Sequence, residues 1–516
     1  MATTADGGLT REQIRGSVLL LAGQVISTLV GSAVIQVLLV RHLSKTEYGA
    51  FAYALSVAIL LEGFSSLGLS RAVARFIPIY DEEEDYRKLF GGLLLAIGAT
   101  LGLGLAAVLL VNGMRGFIEG TLVNDTLAVT LLVILICLAP ITALENVLDK
   151  TIVIFSSVRA LFFRKYVLTP GLRLLVVLVL VVGDAGLRFL AFGYVAAGVI
   201  GLAAYGWILW RALHRRGLLQ HFRLRGLTLP VREMLAFALP LLTTDLVFTV
   251  MTSSDAVMLG YFGDVEEVAA LRAVVPFARL NQFVLLSFGL LFVPLASRLY
   301  ARGDRAGIND LYWQSAAWVA VLSFPLFAVT SALASPLTIL LFGERYADSA
   351  PLLAVLAVGY YFHAALGFNG MVLSVFKKVR YIVSINLLAA MVNIAANLVL
   401  IPAYGALGAA LATSTALVVH NLLKQAGLLR LGTGVSLLPG RYVRVYLVLG
   451  VATTAVALAQ LTVGPPLWLG LTLVGMASLA VLVATRATLD IAATFPELAG
   501  IRLLGALLGN TRSPKR

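Results

Sequence analysis

The residues of this chain that have chemistry to offer are polar groups set in apolar sequence. Glu62 interrupts LLEGFSSLGLS, Arg173 follows Pro170 by three residues, Asp245 and Asp255 share one run, and Arg41 and Arg279 stand at the edges of others. An ionised side chain in hydrocarbon is costly, so each of these must face a cavity, a partner or the headgroup region. Carboxylates so placed can hold Na+ or protons. A guanidinium offers a planar fork of donors that matches phosphate oxygens. A second set is neutral. Asn386, Asn393 and Asn397 are spaced seven and four residues apart, which puts them on one helical stripe, and His363 and Asn369 lie in the run before. Amides of this kind either knit helix to helix or line a polar path with donors and acceptors suited to sugars. For the charged set the structural alternative is internal pairing, Asp245 or Asp255 with Arg173 or Arg279. Glu62, Arg173, Asp245, Asp255 and Arg279, five groups at different depths, favour a water-filled cavity.

These residues must be positioned by membrane helices. The chain has 516 residues, 60% hydrophobic and only 13% charged, against about 25% charged in a soluble domain. Its mean hydropathy is +0.95. Such a composition excludes a soluble enzyme, a disordered chain and a coiled coil, and the unalternating runs exclude an outer-membrane barrel. Spans are expected at 17–40, 48–69, 89–111, 126–147, 166–183, 187–210, 234–260, 278–297, 312–333, 350–373, 381–401, 404–423, 444–464 and 466–485. The fold class is therefore all-α and polytopic, with fourteen transmembrane helices. Two connections are very tight, GDAG at 183–186 and PAYG at 402–405, and Pro402 and Gly405 supply turn chemistry for the second. Glycines in the third and sixth spans permit close packing, and Pro240 is the expected hinge of the seventh.

Orientation follows from charge. Of 39 Lys and Arg, the outward side receives only Arg41, Lys45, Arg115, Arg188, Arg272 and Arg345, and Arg173 and Arg279 lie inside spans. The remainder alternate into inward segments, so both termini are cytoplasmic and the span count is even. The net charge of +13 is this cytoplasmic excess, and no nucleic-acid partner is expected. DEEED at 81–85 reads as a solvated inward loop, and the sequon at Asn124 as accidental. Cys137 is the single cysteine, which excludes an internal disulfide and a thiolate metal cluster. The motifs GxxxxGK[ST], HExxH and GxSxG are absent, so neither a nucleotide site nor hydrolytic catalysis is expected.

The chain divides at a basic inward loop. A cytoplasmic segment 1–16 precedes six spans (17–210), the loop 211–233, six more spans (234–423), a further pair (444–485) and a basic cytoplasmic tail (486–516). LSRAVARFIPIYDEEED in the first half and FVPLASRLYARGD in the second occupy equivalent places. Two halves that start with the same orientation imply parallel repeats about a central cleft. In this order the chain carries RHLSKTEYGAFAYALS (41–56), GLSRAVARFIP (68–78), SSDAVMLGYF (253–262), LFGERYADSAPLLAVLAVGYY (341–361) and IPAYGALGAALAT (401–413). With these segments it resembles the polysaccharide-transporter, or O-antigen flippase, branch of the multidrug/oligosaccharidyl-lipid/polysaccharide exporter superfamily. GDVEEVAALRAVV (263–275) departs from that pattern in what reads as an outer loop, and no Arg precedes Arg41 in the first helix, unlike the peptidoglycan-precursor flippases.

The resemblance implies a plasma-membrane transporter that moves a polyprenyl- or dolichyl-(pyro)phosphate-linked oligosaccharide to the outer leaflet. Glycosyltransferases or a glycan polymerase would be its partners, membrane lipids its surroundings, and Na+ or proton coupling its energy source, with no bound cofactor. Arg41, Arg173 and Arg279 are the residues expected to meet the phosphates. Two other functions compete: a cation-coupled multidrug exporter, and a membrane-embedded glycan polymerase or ligase. The topology itself is testable with reporters. Fusions after Arg75, Arg225, Arg302 and Lys378 should read as cytoplasmic and fusions after Gly116, Gly263 and Tyr346 as external; a missed span would invert every reporter beyond it.

Overall fold

The computed structural model describes residues 31–489, except 32, 124, 157–159, 161 and 224. The segment 1–16, most of the first expected span (17–40), the sequon at Asn124 and the tail beyond 489 lie outside the described residues. The described chain is helical throughout. Its order is α1 (Ile35–His42), α2 (Lys45–Ser65), α3 (Leu69–Glu82), α4 (Tyr86–Gly113), α5 (Thr126–Leu135), α6 (Leu138–Phe155), α7 (Thr169–Gly183), α8 (Leu187–Arg215) and α9 (Val231–Phe262). There follow α10 (Val265–Arg279), α11 (Phe283–Ala301), α12 (Arg305–Ser331), α13 (Ala334–Phe342), α14 (Ala350–Leu366), α15 (Phe368–Val375), α16 (Val379–Arg430), α17 (Gly440–Val463) and α18 (Leu467–Leu489). Among the described residues, 11 helical runs are long and apolar enough to cross a membrane, or 12 if the bent α9 is one span. This is a multi-pass membrane protein.

Polar residues between the apolar runs start the helices. Ser44 and Glu47 form a reciprocal capping box at α2. The side chains of Asp85, Asp125 and Asp304 accept from the backbone N–H groups of Lys88, Ala128 and Gly307 to cap α4, α5 and α12. The acidic run 81–85 thus ends in a cap, and Asp81 lies 3.7 Å from Arg216. Asp184, at φ 46°, turns the chain between α7 and α8 within GDAG. The 52-residue α16 contains a break at Gly405 (φ 55°, ψ −132°), so PAYG separates two helical arms as the sequence leads one to expect.

The described residues form two compact units, one of residues up to 273 with 396–409, the other of 274–395 with 410–489. In the first, Leu69, Val73 and Ile77 on one face of the amphipathic α3 pack with Leu89 and Leu93 of α4, Val147 and Ile152 of α6, and Met234 and Ala238 of α9. Small residues let backbones approach where hydrocarbon gives no hydrophobic drive. A Cβ on Gly104 would lie 2.5 Å from that of Pro140, and one on Gly91 2.1 Å from the Thr228 carbonyl oxygen. The second unit is built on aromatic residues: Phe292, Tyr312, Trp313, Phe324, Phe368 and Tyr442 share one core. The C-terminal pair α17 and α18 belongs to this unit, with Trp313 Nε1 donating to the Ser436 carbonyl at 3.2 Å. Outward faces are apolar, to the extent that Val182 is 85% and Leu461 82% exposed. Water would drive such faces to aggregate, whereas acyl chains solvate them.

Several boundaries differ from the sequence reading. The stretch 263–275, expected as an outer loop, is mostly helix α10, in which Val268, Ala269, Leu271, Ala273 and Val274 are each buried. The inter-lobe loop 211–233 is shorter, since α8 runs on to Arg215 and α9 begins at Val231. Within it His221 stacks on Tyr86 at 4.2 Å and Phe222 meets Phe90 at 5.2 Å. The bend of α9, 46°, falls between Val247 and Thr249 and not at Pro240. There Thr249 Oγ1 donates to the Asp245 carbonyl at 3.0 Å, a back-bond that bends helices.

Gly405 offers a direct test of the α16 break. A Cβ there would combine a positive φ with an approach of 2.3 Å to Glu267 Oε1. Gly405→Ala should destabilise by about 1–3 kcal/mol. Gly102, with nothing within 4 Å, should accept Ala without loss. Thermal unfolding of the two variants in detergent measures the difference.

Candidate functional site

In the first unit the charges converge on α6. Glu145, Asn146 and Asp149 sit near the middle of a helix that the apolar sequence carries on to Phe155. The facing segment Phe163–Leu168 winds as a π-helical turn before α7, and such turns redirect side chains at functional sites. It aims Arg164 at Glu145, with which it forms an ion pair. The side chains of the two are only 4% and 14% exposed. Arg164 Nε also donates to the Gly201 carbonyl at 3.2 Å, and its guanidinium carbon lies 3.4 Å from the Tyr205 ring centre. A Cβ on Gly201 would come within 2.6 Å of Arg164 and 2.9 Å of Glu145, so α8 needs glycine here for the pair to form. Tyr205 donates its hydroxyl to Asp149, whose other oxygen accepts from Lys165 Nζ at 2.7 Å.

Two sequence-selected residues join this cluster. Glu62 of α2 accepts from Asn146 Nδ2 at 2.9 Å. Arg173 of α7 holds its guanidinium carbon 5.6 Å from the Tyr194 ring centre, and its charge reaches both Glu62 and Glu145. Its Nε is buried without a hydrogen-bond partner, and among the described residues no carboxylate lies within the 4.0 Å of an ion pair. Arg41 is exposed in the last turn of α1, apart from these contacts.

The aspartates of α9 are paired, but not as the sequence alternative had it. Asp245 pairs with Arg71 of α3. Asp255 pairs at 3.0 Å with Arg272 of α10, which also donates to the Thr252 carbonyl at 3.1 Å. Among the described residues neither Asp forms an ion pair with Arg173. The reason is local: α3 and α10, both expected as loops, are helices that present Arg71 and Arg272 to α9. Arg279 is likewise deeper in its run than the outer end of a span, for it closes α10 just before the 3-10 turn Leu280–Gln282.

Asn397 falls in the first unit; the second holds His363, Asn369, Asn386, Asn393 and Arg279, which donates from Nε to the Tyr360 hydroxyl at 3.1 Å. Asn421 is its hub. Asn421 Nδ2 donates to the Leu417 carbonyl at 2.7 Å and lies 2.8 Å from His363 Nδ1, while Asn369 Nδ2 donates to the Asn421 carbonyl at 3.1 Å. Asn386 Oδ1 lies 2.8 Å from His420 Nε2. Asn393 and Asn397 are fully buried within α16.

Sequence reasoning missed Glu145, Asn146, Asp149, Arg164, Lys165, Arg71, Arg272, His420 and Asn421 as site residues. One signal was available: Glu145 and Asp149 are four apart, so they share a helix face, and Glu145 already falls inside the expected span 126–147. Arg164 and Lys165 looked like loop residues because the π-turn lies beyond the apolar run.

The Arg164–Glu145 pair makes a sharp prediction. Removing one partner strands a buried charge, so Glu145→Gln or Arg164→Met alone should destabilise by about 3–5 kcal/mol, and the double Glu145→Leu/Arg164→Met by much less. Membrane abundance and thermal unfolding of the three variants would show it; equal losses in all three would refute the pairing.

The comparisons with known proteins agree on the architecture. The lipid II flippase MurJ in an inward closed conformation superposes with a TM-score of 0.70 at 15% identity, over 93% of this chain and 99% of that one. An inward-facing multidrug resistance MATE family transporter of the MOP superfamily gives 0.58 at 14% identity, over 80% and 98%. In sequence, an uncharacterized membrane protein of Methanocaldococcus jannaschii, MJ1068, is 22% identical over 396 residues, 73% of this chain and 76% of the relative. The MatE family profile matches residues 240–399. That of the family described as polysaccharide biosynthesis protein matches residues 14–300, more than half of the sequence, and the chain belongs to that family.

Proposed function

We propose that this protein is a plasma-membrane flippase that carries a polyprenyl- or dolichyl-(pyro)phosphate-linked oligosaccharide from the cytoplasmic to the outer leaflet. Fourteen spans, cytoplasmic termini and two six-helix halves working by alternating access complete the reading. The observation that carries it is Arg173, a guanidinium among apolar helices that forms no ion pair among the described residues, while Glu145, which its charge reaches, already pairs with Arg164. A cation so placed is held ready for an anion from outside the chain, and a lipid-linked pyrophosphate supplies one. Arg279 and Arg41 are further candidates for phosphate contact. The amides of Asn369, Asn386, Asn393 and Asn397 and the imidazole of His363 suit sugar hydroxyls. Glu62 is the carboxylate proposed to couple transport to Na+ or protons, because among the described residues it forms no ion pair and its hydrogen-bond partner Asn146 is neutral. Glycosyltransferases on the cytoplasmic side would supply the substrate.

The match of residues 240–399 to the MatE profile supports the one competing reading, a cation-coupled multidrug exporter. The two separate on Arg173. Under the flippase reading, Arg173→Ala lowers glycan export by about tenfold or more, equivalent to about 1.4 kcal/mol, at normal membrane abundance. Arg173→Lys restores part of it, because the charge survives while the fork is lost. Unchanged glycan export in Arg173→Ala, with loss of cationic dye efflux in Glu62→Gln, would favour the exporter.

A further inference from the structure

We propose that His363, His420 and Lys424 form a binding site for a phosphate-class anion inside the second compact unit. The proposal goes beyond the flippase reading and does not depend on it. Its first support is electrostatic. Between Ser349 and Leu489 the sequence contains no Asp or Glu, yet it contains Lys377, Lys378, Arg380, Lys424, Arg430, Arg441, Arg444 and Arg486. Arg441 borrows Asp310 from α12 at 3.0 Å. Lys424 has no such partner: among the described residues no carboxylate comes within 4.0 Å of its Nζ. The sequence reading put Lys424 in the inward segment just beyond the span 404–423, but α16 continues to Arg430 and keeps it within the helix. Its Nζ lies against α15, 3.2 Å from where a Cβ on Gly370 would stand.

The second support is hydrogen-bond bookkeeping. Asn421 Nδ2 donates to the Leu417 carbonyl and its Oδ1 faces Asn369 Nδ2 at 3.3 Å, which fixes the amide's orientation. Facing that Nδ2 at 2.8 Å, His363 Nδ1 is the acceptor, and the ring's proton resides on Nε2. Asn386 Oδ1 in turn accepts from His420 Nε2 at 2.8 Å, leaving His420 Nδ1, which is buried without a partner. The two rings are nearly parallel, 6.2 Å apart at 10°. His420 and Lys424 are one helical turn apart on the same face. An ammonium, an imidazole N–H and a second imidazole able to take a proton make a donor set for an oxyanion, with amides holding each ring in place.

Phosphate of this kind has two sources, a soluble (pyro)phosphate or the headgroup of an anionic lipid. The test uses the purified full-length protein and thermal unfolding. Inorganic pyrophosphate is titrated in detergent, with chloride as control. In parallel, the protein is reconstituted in phosphatidylcholine vesicles with or without phosphatidylglycerol. A stabilisation by pyrophosphate that disappears in Lys424→Met supports a soluble source. One given only by phosphatidylglycerol, and lost in the same variant, supports the lipid. Lys424→Met without anion should be at least as stable as the parent, since it removes an unpaired charge. Lys424→Arg should retain the effect. His420→Gln should weaken the anion's apparent affinity about tenfold, and it decides alone if Lys424→Met does not accumulate. An anion effect that both Lys424→Met and His420→Gln retain, or no effect of either anion on the parent, overturns the proposal.

Discussion

The arrangement of the first unit depends on the cost of leaving a guanidinium alone in hydrocarbon. Arg164 must find a carboxylate, and the nearest helix that offers one is α6, through Glu145. Meeting that requirement constrains three elements together. The segment before α7 must wind as a π-turn, α6 must stay helical well past its apolar run, and α8 must carry glycine at position 201. Tyr205, Asp149 and Lys165 then extend the pair into a network in which each acid has a donor. Such a network contributes little net stability compared with an apolar core of equal volume. Its retention is better understood as holding charge at a fixed place beside Arg173.

The second unit has no carboxylate between Ser349 and Leu489. Its interior is knit by amides and imidazoles, and the rings of Tyr312, Trp313 and Phe368 supply the packing. The contrast gives the two units different electrostatic characters: balanced ion pairs in one, excess positive charge in the other.

The helical, polytopic class was legible because apolar run length is a direct physical requirement of spanning a bilayer. So were the turns at Asp184 and Gly405, where the backbone needs a left-handed residue that GDAG and PAYG announce. The site was legible only in part. Glu62, Arg173 and the asparagines stand out as polar letters in apolar words. Arg71, Arg272, Arg164 and Lys424 do not, because each lies outside the expected apolar runs, where hydropathy reads as loop. Helix α3 hid for a related reason: its buried face of Leu69, Val73 and Ile77 alternates with charged residues, and an amphipathic helix has no long apolar run to find. Pairing was also beyond the sequence, since which Arg meets Asp245 is decided by helices whose existence had not been recognised.

The π-helical turn at Phe163–Leu168 makes chain length itself a constrained quantity. It accommodates a residue more than an ordinary α-turn would. Deleting one residue there would let a regular helix form with every hydrogen bond satisfied, yet it would rotate the preceding side chains by about 100° relative to α7. Arg164 would then swing from Glu145 towards the acyl chains. Most substitutions along this stretch leave that register intact, whereas the loss of a single codon does not, so related sequences should vary here in composition much more freely than in the number of residues.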